Sequence, residues 1–160
     1  MHSIEGLLDI HARVHENVKD LIAHCAGLPA GTADQLVEGF GEGTIRLRIH
    51  HMLGAERYWM SVLRGDPDAA DDSDSYPELA SLEELRAEIF ESTRSFLASL
   101  EDADLGRARP VTVGGGEQRE LRPVDVFFRT QTHHYHHQGQ VLALCRALGR
   151  PASGLDYPLL

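Results

Sequence analysis

Between Pro123 and Leu148 apolar residues recur every three to four positions, and the middle of the stretch reads Thr132-His133-His134-Tyr135-His136-His137-Gln138-Gly139-Gln140. That spacing predicts a long helix with one face turned to a core. Four of the chain's ten histidines lie in it. An imidazole facing a core must be partnered, because a buried polar group without a hydrogen bond or a metal costs free energy. Any fold for this chain has to pack other elements against this helix and give its rings something to bind.

The remaining sequence offers such elements. Ser3 is a suitable N-cap for a first helix carrying Ile4, Leu7, Leu8, Val14, Val18, Leu21 and Ile22, ending near Cys25 ahead of Gly27 and Pro29. A second helix is expected from about Ala33 or Phe40 to Leu63, stopped by Gly65-Asp66-Pro67, with a core stripe of Phe40, Thr44, Leu47, His51, Ala55, Tyr58 and Val62. Ser81 is expected to cap a third, with Glu84 completing a capping box and Leu82, Leu85, Ile89, Thr93, Phe96 and Leu100 on its apolar face. Pro123 suits the first turn of the fourth, and Gly149-Arg150-Pro151 ends it.

Four helices in 160 residues predict an all-α fold, a four-helix bundle forming one domain over residues 1–160. The connections 66–80 and 102–122 are long enough for crossovers. The first is acidic and reads as a solvated connector, lacking the glycine and glutamate of a calcium loop. The second holds Val111-Thr112-Val113, three glycines and Glu117–Leu121, which suit a short hairpin or an irregular excursion. The tail, with Leu155 and Pro158, is expected to pack back on the helices.

Charge narrows the partners. The formal charge is −10 and Lys19 is the sole lysine, which argues against nucleic acid, whose non-specific affinity comes from Lys/Arg neutralising phosphates. No apolar run approaches the roughly 20 residues of a membrane helix, and the start of the chain lacks a basic leader, so a cytoplasmic protein is expected. Cys25 and Cys145 are too few for a disulfide framework and read as small core residues.

On a helical wheel Val126, Thr130, His133, His137, Val141, Leu144 and Leu148 share one stripe, which puts His133 and His137 on the apolar face one turn apart. His134 falls at its edge, and His136 is expected in solvent or at an interface. On the second helix His51 occupies the predicted stripe and His50 is turned aside. His51, His133 and His137 can thus converge on one metal ion, leaving coordination positions open as catalytic zinc sites do. Imidazole also suits nickel, copper and iron. His134 or an acidic residue of the first helix could be a fourth ligand. His11 and His15 read as hydrogen-bonded core or boundary residues, and Glu56, about 140° around the helix from His51, as a poor general base.

Three segments carry a resemblance. His133–Gln140 is similar to the HxxxHxGQ motif of the DinB/YfiT-like family, His51-Met52-Leu53-Gly54-Ala55-Glu56-Arg57-Tyr58-Trp59 resembles its histidine-plus-"gaErxW" segment, and Leu148-Gly149-Arg150-Pro151 with Asp156-Tyr157 resembles its C-terminus. The resemblance implies a four-helix bundle, a divalent metal (zinc or nickel foremost) on His51, His133 and His137, and frequently a homodimer. Gln138 stands where the family often has a basic residue, and is expected to face away from the metal. Some members are transferases or isomerases that use low-molecular-weight thiols. The expected function is therefore metal-dependent thiol S-transfer, or a related hydrolase or isomerase reaction, on a small molecule, with Tyr58, Trp59 or Phe127 shaping the pocket. The alternative is a non-catalytic, metal-stabilised stress-response or binding protein.

Overall fold

A computed structural model describes residues 2–41, 43–66, 72–152 and 155–158, and it is mostly helical. Helix α1 spans Ile4–Ala26, α2 Ile45–Arg64, α3 Leu79–Ala98, α4 Asp102–Leu105 and α5 Pro123–Ala147, with strands β1 (Arg109–Val113) and β2 (Glu117–Leu121) between α4 and α5. Local chemistry sets most of the ends. Ser3 is extended and its hydroxyl accepts from the Gly6 amide at 3.2 Å, satisfying an orphan donor of α1. Gly65 ends α2 at φ 88°, and Pro123 opens α5.

Two predicted starts move. The second helix begins at Ile45, capped by Thr44, and Thr32–Asp34 forms only a short 3-10 turn. Glycines 39 and 41 lie between them at φ 84° and 74°, a left-handed conformation that breaks any continuous helix from Ala33 or Phe40. In α3 the N-cap is Glu78 and Ser81 is the third helical residue, so the capping box is Glu78 with Ser81, not Ser81 with Glu84. Residues 67–71 of the acidic connector lie outside the described residues.

Helix α2 packs against α3 and α5, and α1 packs against α3 and α5. One apolar cluster joins them through Val14, Val18 and Leu21 of α1, Ile49 and Met52 of α2, Leu85 and Ile89 of α3, and Val141 and Leu144 of α5. Of the two expected forms the segment takes the hairpin, antiparallel with Arg109 opposite Leu121 and Val113 opposite Glu117. Val111 and Val113 bury against Met60, Val62 and Val126, and the Gly114 amide donates to Tyr58 Oη at 2.7 Å. The hairpin is thus clasped over the end of the α2–α5 seam. The tail packs back as expected: Asn17 Nδ2 donates to the Asp156 carbonyl at 2.7 Å and Arg13 Nη1 to that of Pro158 at 3.3 Å.

The buried faces of two helices differ from the predicted stripes. On α2 the buried row is Ile45, Ile49, Met52, Leu53, Glu56, Met60 and Leu63, while His51 is exposed and His50 is buried. On α5 the expected Val126, Thr130, His137, Val141 and Leu144 are buried, but the buried face extends through Phe127, Gln131, His134, Gln138 and Cys145, and His133 is only half-buried. One residue of error in register turns a helix face by about 100°. Apolar spacing misjudged the faces because each helix buries polar residues at the centre of its row. Cys25 and Cys145 are free and buried in the core, as expected.

Candidate metal centre

His51 of α2 and His133 and His137 of α5 meet at the rim of the seam between those helices. One ligand nitrogen from each lies within 4.8 Å of the others, and the rings stand edge to face with centroids 4.3 Å (His133–His137), 4.7 Å (His51–His137) and 5.1 Å (His51–His133) apart. The i,i+4 spacing on one helix stacks His133 and His137 a turn apart, and α2 delivers His51 opposite them. The group grades from exposed His51 to His137, which is only 9% exposed, so it is backed by protein and open on one side.

Two features prepare these rings as ligands. His137 Nδ1 donates to Gln140 Oε1 at 2.8 Å, and the same oxygen accepts from Arg48 Nη1 at 2.7 Å. That fixes the tautomer and leaves the Nε2 lone pair of His137 available, the usual support for a metal-bound imidazole. Among the described residues His133 Nε2, itself buried, has no hydrogen-bond partner, an acceptor or donor left over in a cluster of its own kind. Burial, then the neighbouring His137 and His51, push His133 down to about 4, and burial likewise lowers His137. Both rings are neutral at pH 7 and free to bind a cation. The residues present fit a divalent ion held by three nitrogens.

A second polar cluster lies inside the core, one side chain away. Glu56 of α2 is fully buried and accepts four hydrogen bonds: from His11 Nε2 at 2.9 Å, His15 Nε2 at 3.2 Å, Thr93 Oγ1 at 2.7 Å and His134 Nε2 at 2.6 Å. Helices α1, α2, α3 and α5 each contribute to it. Burial opposes ionisation of the Glu56 carboxyl, but its electrostatic interaction with His15 and the hydrogen bonds from His11, His134 and His15 outweigh this and hold it well below its usual range. Desolvation pushes His15 down to about 4.

His11, His15 and Glu56 also bring ligand atoms within 4.8 Å of one another, so either group could hold a metal ion by proximity. Hydrogen bonding separates the two. The carboxylate contacts from His134, His11 and His15 are 2.6, 2.9 and 3.2 Å, all within hydrogen-bond range. A carboxylate has about four lone-pair sites and Glu56 fills them with four donors. The Nδ1 atoms of His11, His15 and His134 lack the outer partners that metal-bound imidazoles keep. This cluster is a hydrogen-bonded carboxylate, and the rim group is the better ion site.

Comparison with protein families matches residues 10–160 to the DinB family model. The chain belongs to the DinB family. No curated protein matches it. The three DinB-motif histidines read from the sequence, His51, His133 and His137, are brought together by the structure. His136 is exposed, as expected, and meets Gln140 Nε2 at 3.2 Å. His134 is not at the stripe's edge but at the centre of the buried face, turned to Glu56 and away from the role of fourth ligand. Gln138 is buried and donates to the Leu155 carbonyl, tying the tail to α5. Phe127 is fully buried among Leu7, Leu97 and Leu105, so it shapes the core, not a pocket.

Sequence reasoning missed the Glu56 cluster. His11 and His15 are hydrogen-bonded and in the core, one of the two places expected for them, but spacing alone does not reveal their common partner. The available signal was the row Ile45-Ile49-Met52-Glu56-Met60, which puts a carboxylate mid-face, together with an i,i+4 histidine pair on α1.

Proposed function

We propose that this DinB-family protein is a four-helix bundle that binds a divalent metal ion through His51, His133 and His137 and uses it on a small-molecule substrate, with thiol-dependent group transfer as the reaction class. The observation that carries this reading is the convergence of three imidazoles on one point, with His137 oriented by Gln140 and His133 Nε2 left without any other partner among the described residues. A divalent ion supplies one thing there: it lowers the pKa of a bound thiol or water, so that a nucleophile exists at neutral pH.

The chain's own residues do the rest. Gln140 and Arg48 hold the His137 ring. His51, exposed on the rim, leaves an approach from solvent, which favours an open coordination position over a closed structural site. A cavity of about 190 Å³ follows the same α2–α5 seam beneath the hairpin, lined by Trp59, Arg119, Leu121, Asp125, Val126 and Arg129. Arg129 lies 5.1 Å over the Trp59 ring, four residues before His133. Arg119 is paired with Glu117, so Arg129 beside the apolar wall is the group suited to a small molecule bearing an anionic group, as low-molecular-weight thiols do. The carboxylate of Glu56 is enclosed by its four donors, so it is not a general base.

Metal content of the purified protein, measured against the triple variant H51A/H133A/H137A, tests the site. About one ion per chain in the first and none in the second is expected; equal, negligible content in both refutes it. Loading with zinc, nickel or manganese and screening thiols against electrophiles then tests the reaction. No turnover in any combination would return the protein to the alternative, a metal-stabilised binding protein. Among the described residues no helix is long and apolar enough to cross a membrane.

A further inference from the structure

We propose that Glu56 is a positioning residue for the three-histidine centre, acting through its hydrogen bond to His134. The inference rests on the reading that His51, His133 and His137 hold an ion. Each of the two helices that supplies a ligand also supplies one member of the buried cluster: α2 carries His51 and Glu56, and α5 carries His133 and His134. Consecutive residues of a helix are about 100° apart. Holding the His134 ring at 2.6 Å from Glu56 Oε2, in the core, therefore fixes the rotation of α5 about its axis, and with it the direction in which His133 and His137 leave the helix.

This anchor is rigid for a physical reason. His134 and Glu56 are 1% and 0% exposed, so neither side chain can exchange its partner for water. The other oxygen of the carboxylate is held by Thr93 of α3 and His11 of α1, and His15 adds a second contact from α1. Helix α5 is thus referenced to the whole core and not to α2 alone. Apolar burial is non-directional, whereas a short charge-assisted hydrogen bond is directional. Three ligands from two helices need their nitrogens placed to within a few tenths of an ångström, since metal–nitrogen distances tolerate about ±0.2 Å.

The test compares four single variants of the full chain, loaded with zinc for affinity and with cobalt for the visible spectrum. His134→Phe keeps a ring but removes the donor, and His134→Gln restores an N–H that reaches the carboxylate. Glu56→Gln places an amide group against one of the donors. Thr93→Val removes a hydrogen bond to Glu56 without touching α5. We expect H134F and E56Q to bind zinc at least tenfold more weakly by competition with a chromophoric chelator, the scale of lost outer-shell support, and to alter the cobalt absorption. H134Q and T93V should stay within a few-fold of the parent, although T93V lowers stability. Parent-like zinc affinity and cobalt spectra in H134F and E56Q would overturn the proposal, as would a T93V loss equal to that of H134F, which would mark a general effect of destabilisation. Should E56Q fail to fold, the H134F and H134Q pair decides. A parent protein that holds no zinc would instead sink the metal reading itself.

Discussion

Replacing Thr93 by valine removes a single hydroxyl from the core while nearly keeping its shape. In the native protein Thr93 is 1% exposed and its Oγ1 donates to Glu56 Oε1 at 2.7 Å. A hydrogen bond to a charged group contributes about 1.5–3 kcal/mol, twice the neutral kind. Oε1 would retain His11 as a donor, so the carboxylate would be weakened but not orphaned. The expected loss is therefore about 2 kcal/mol, in the middle of that range. For a chain of this size each kcal/mol lowers the melting temperature by roughly 2–4 °C, giving a fall of about 4–8 °C. Urea unfolding followed by circular dichroism measures it, and the midpoint should drop with the m-value unchanged. A loss below about 0.5 kcal/mol, the level of an indifferent surface change, would mean that Glu56 is not an ionised acceptor at the centre of the core. The account of all four donors would then fail together.

Further outcomes follow from the same geometry. His15 has a folded value of about 4 against 6.5 when free, so between those pH values the unfolded chain binds more protons; stability present above about 6.5 is lost as the pH falls toward 4, by up to about 3 kcal/mol. His15→Gln should flatten the plot of urea midpoint against pH in that window, and an unchanged slope would refute the assignment. Gln140→Ala removes the acceptor of His137 Nδ1 and should weaken zinc binding about 10–100-fold with the helix content unchanged; undiminished affinity would show that the ring needs no such support. Gly65→Ala forces a Cβ into φ 88° at the end of α2, where open space surrounds it, so the cost is conformational, about 1 kcal/mol. A variant as stable as the parent would contradict the left-handed cap.

What was legible in the sequence was local. Ser3, Gly65, Pro123 and Gly149 mark helix ends because their effects act within one turn, and Val111-Thr112-Val113 ahead of three glycines allows a hairpin there without requiring it. The histidine trio was legible as well, since an i,i+4 pair on one helix needs only helical geometry and the resemblance to the DinB motifs points to His51. Tertiary structure alone decided how far each helix is rotated. Spacing of apolar residues predicted His51 and His133 toward the core; packing turns them to the rim and puts Glu56 and His134 inside. No single helix reveals this, because burying a carboxylate or an imidazole is unfavourable until its partners arrive. Those partners, His11, His15 and Thr93, come from positions 37 to 45 residues away from Glu56, and His134 from 78 residues away. The burial of each is made possible by the others, a condition that exists only once four helices have met.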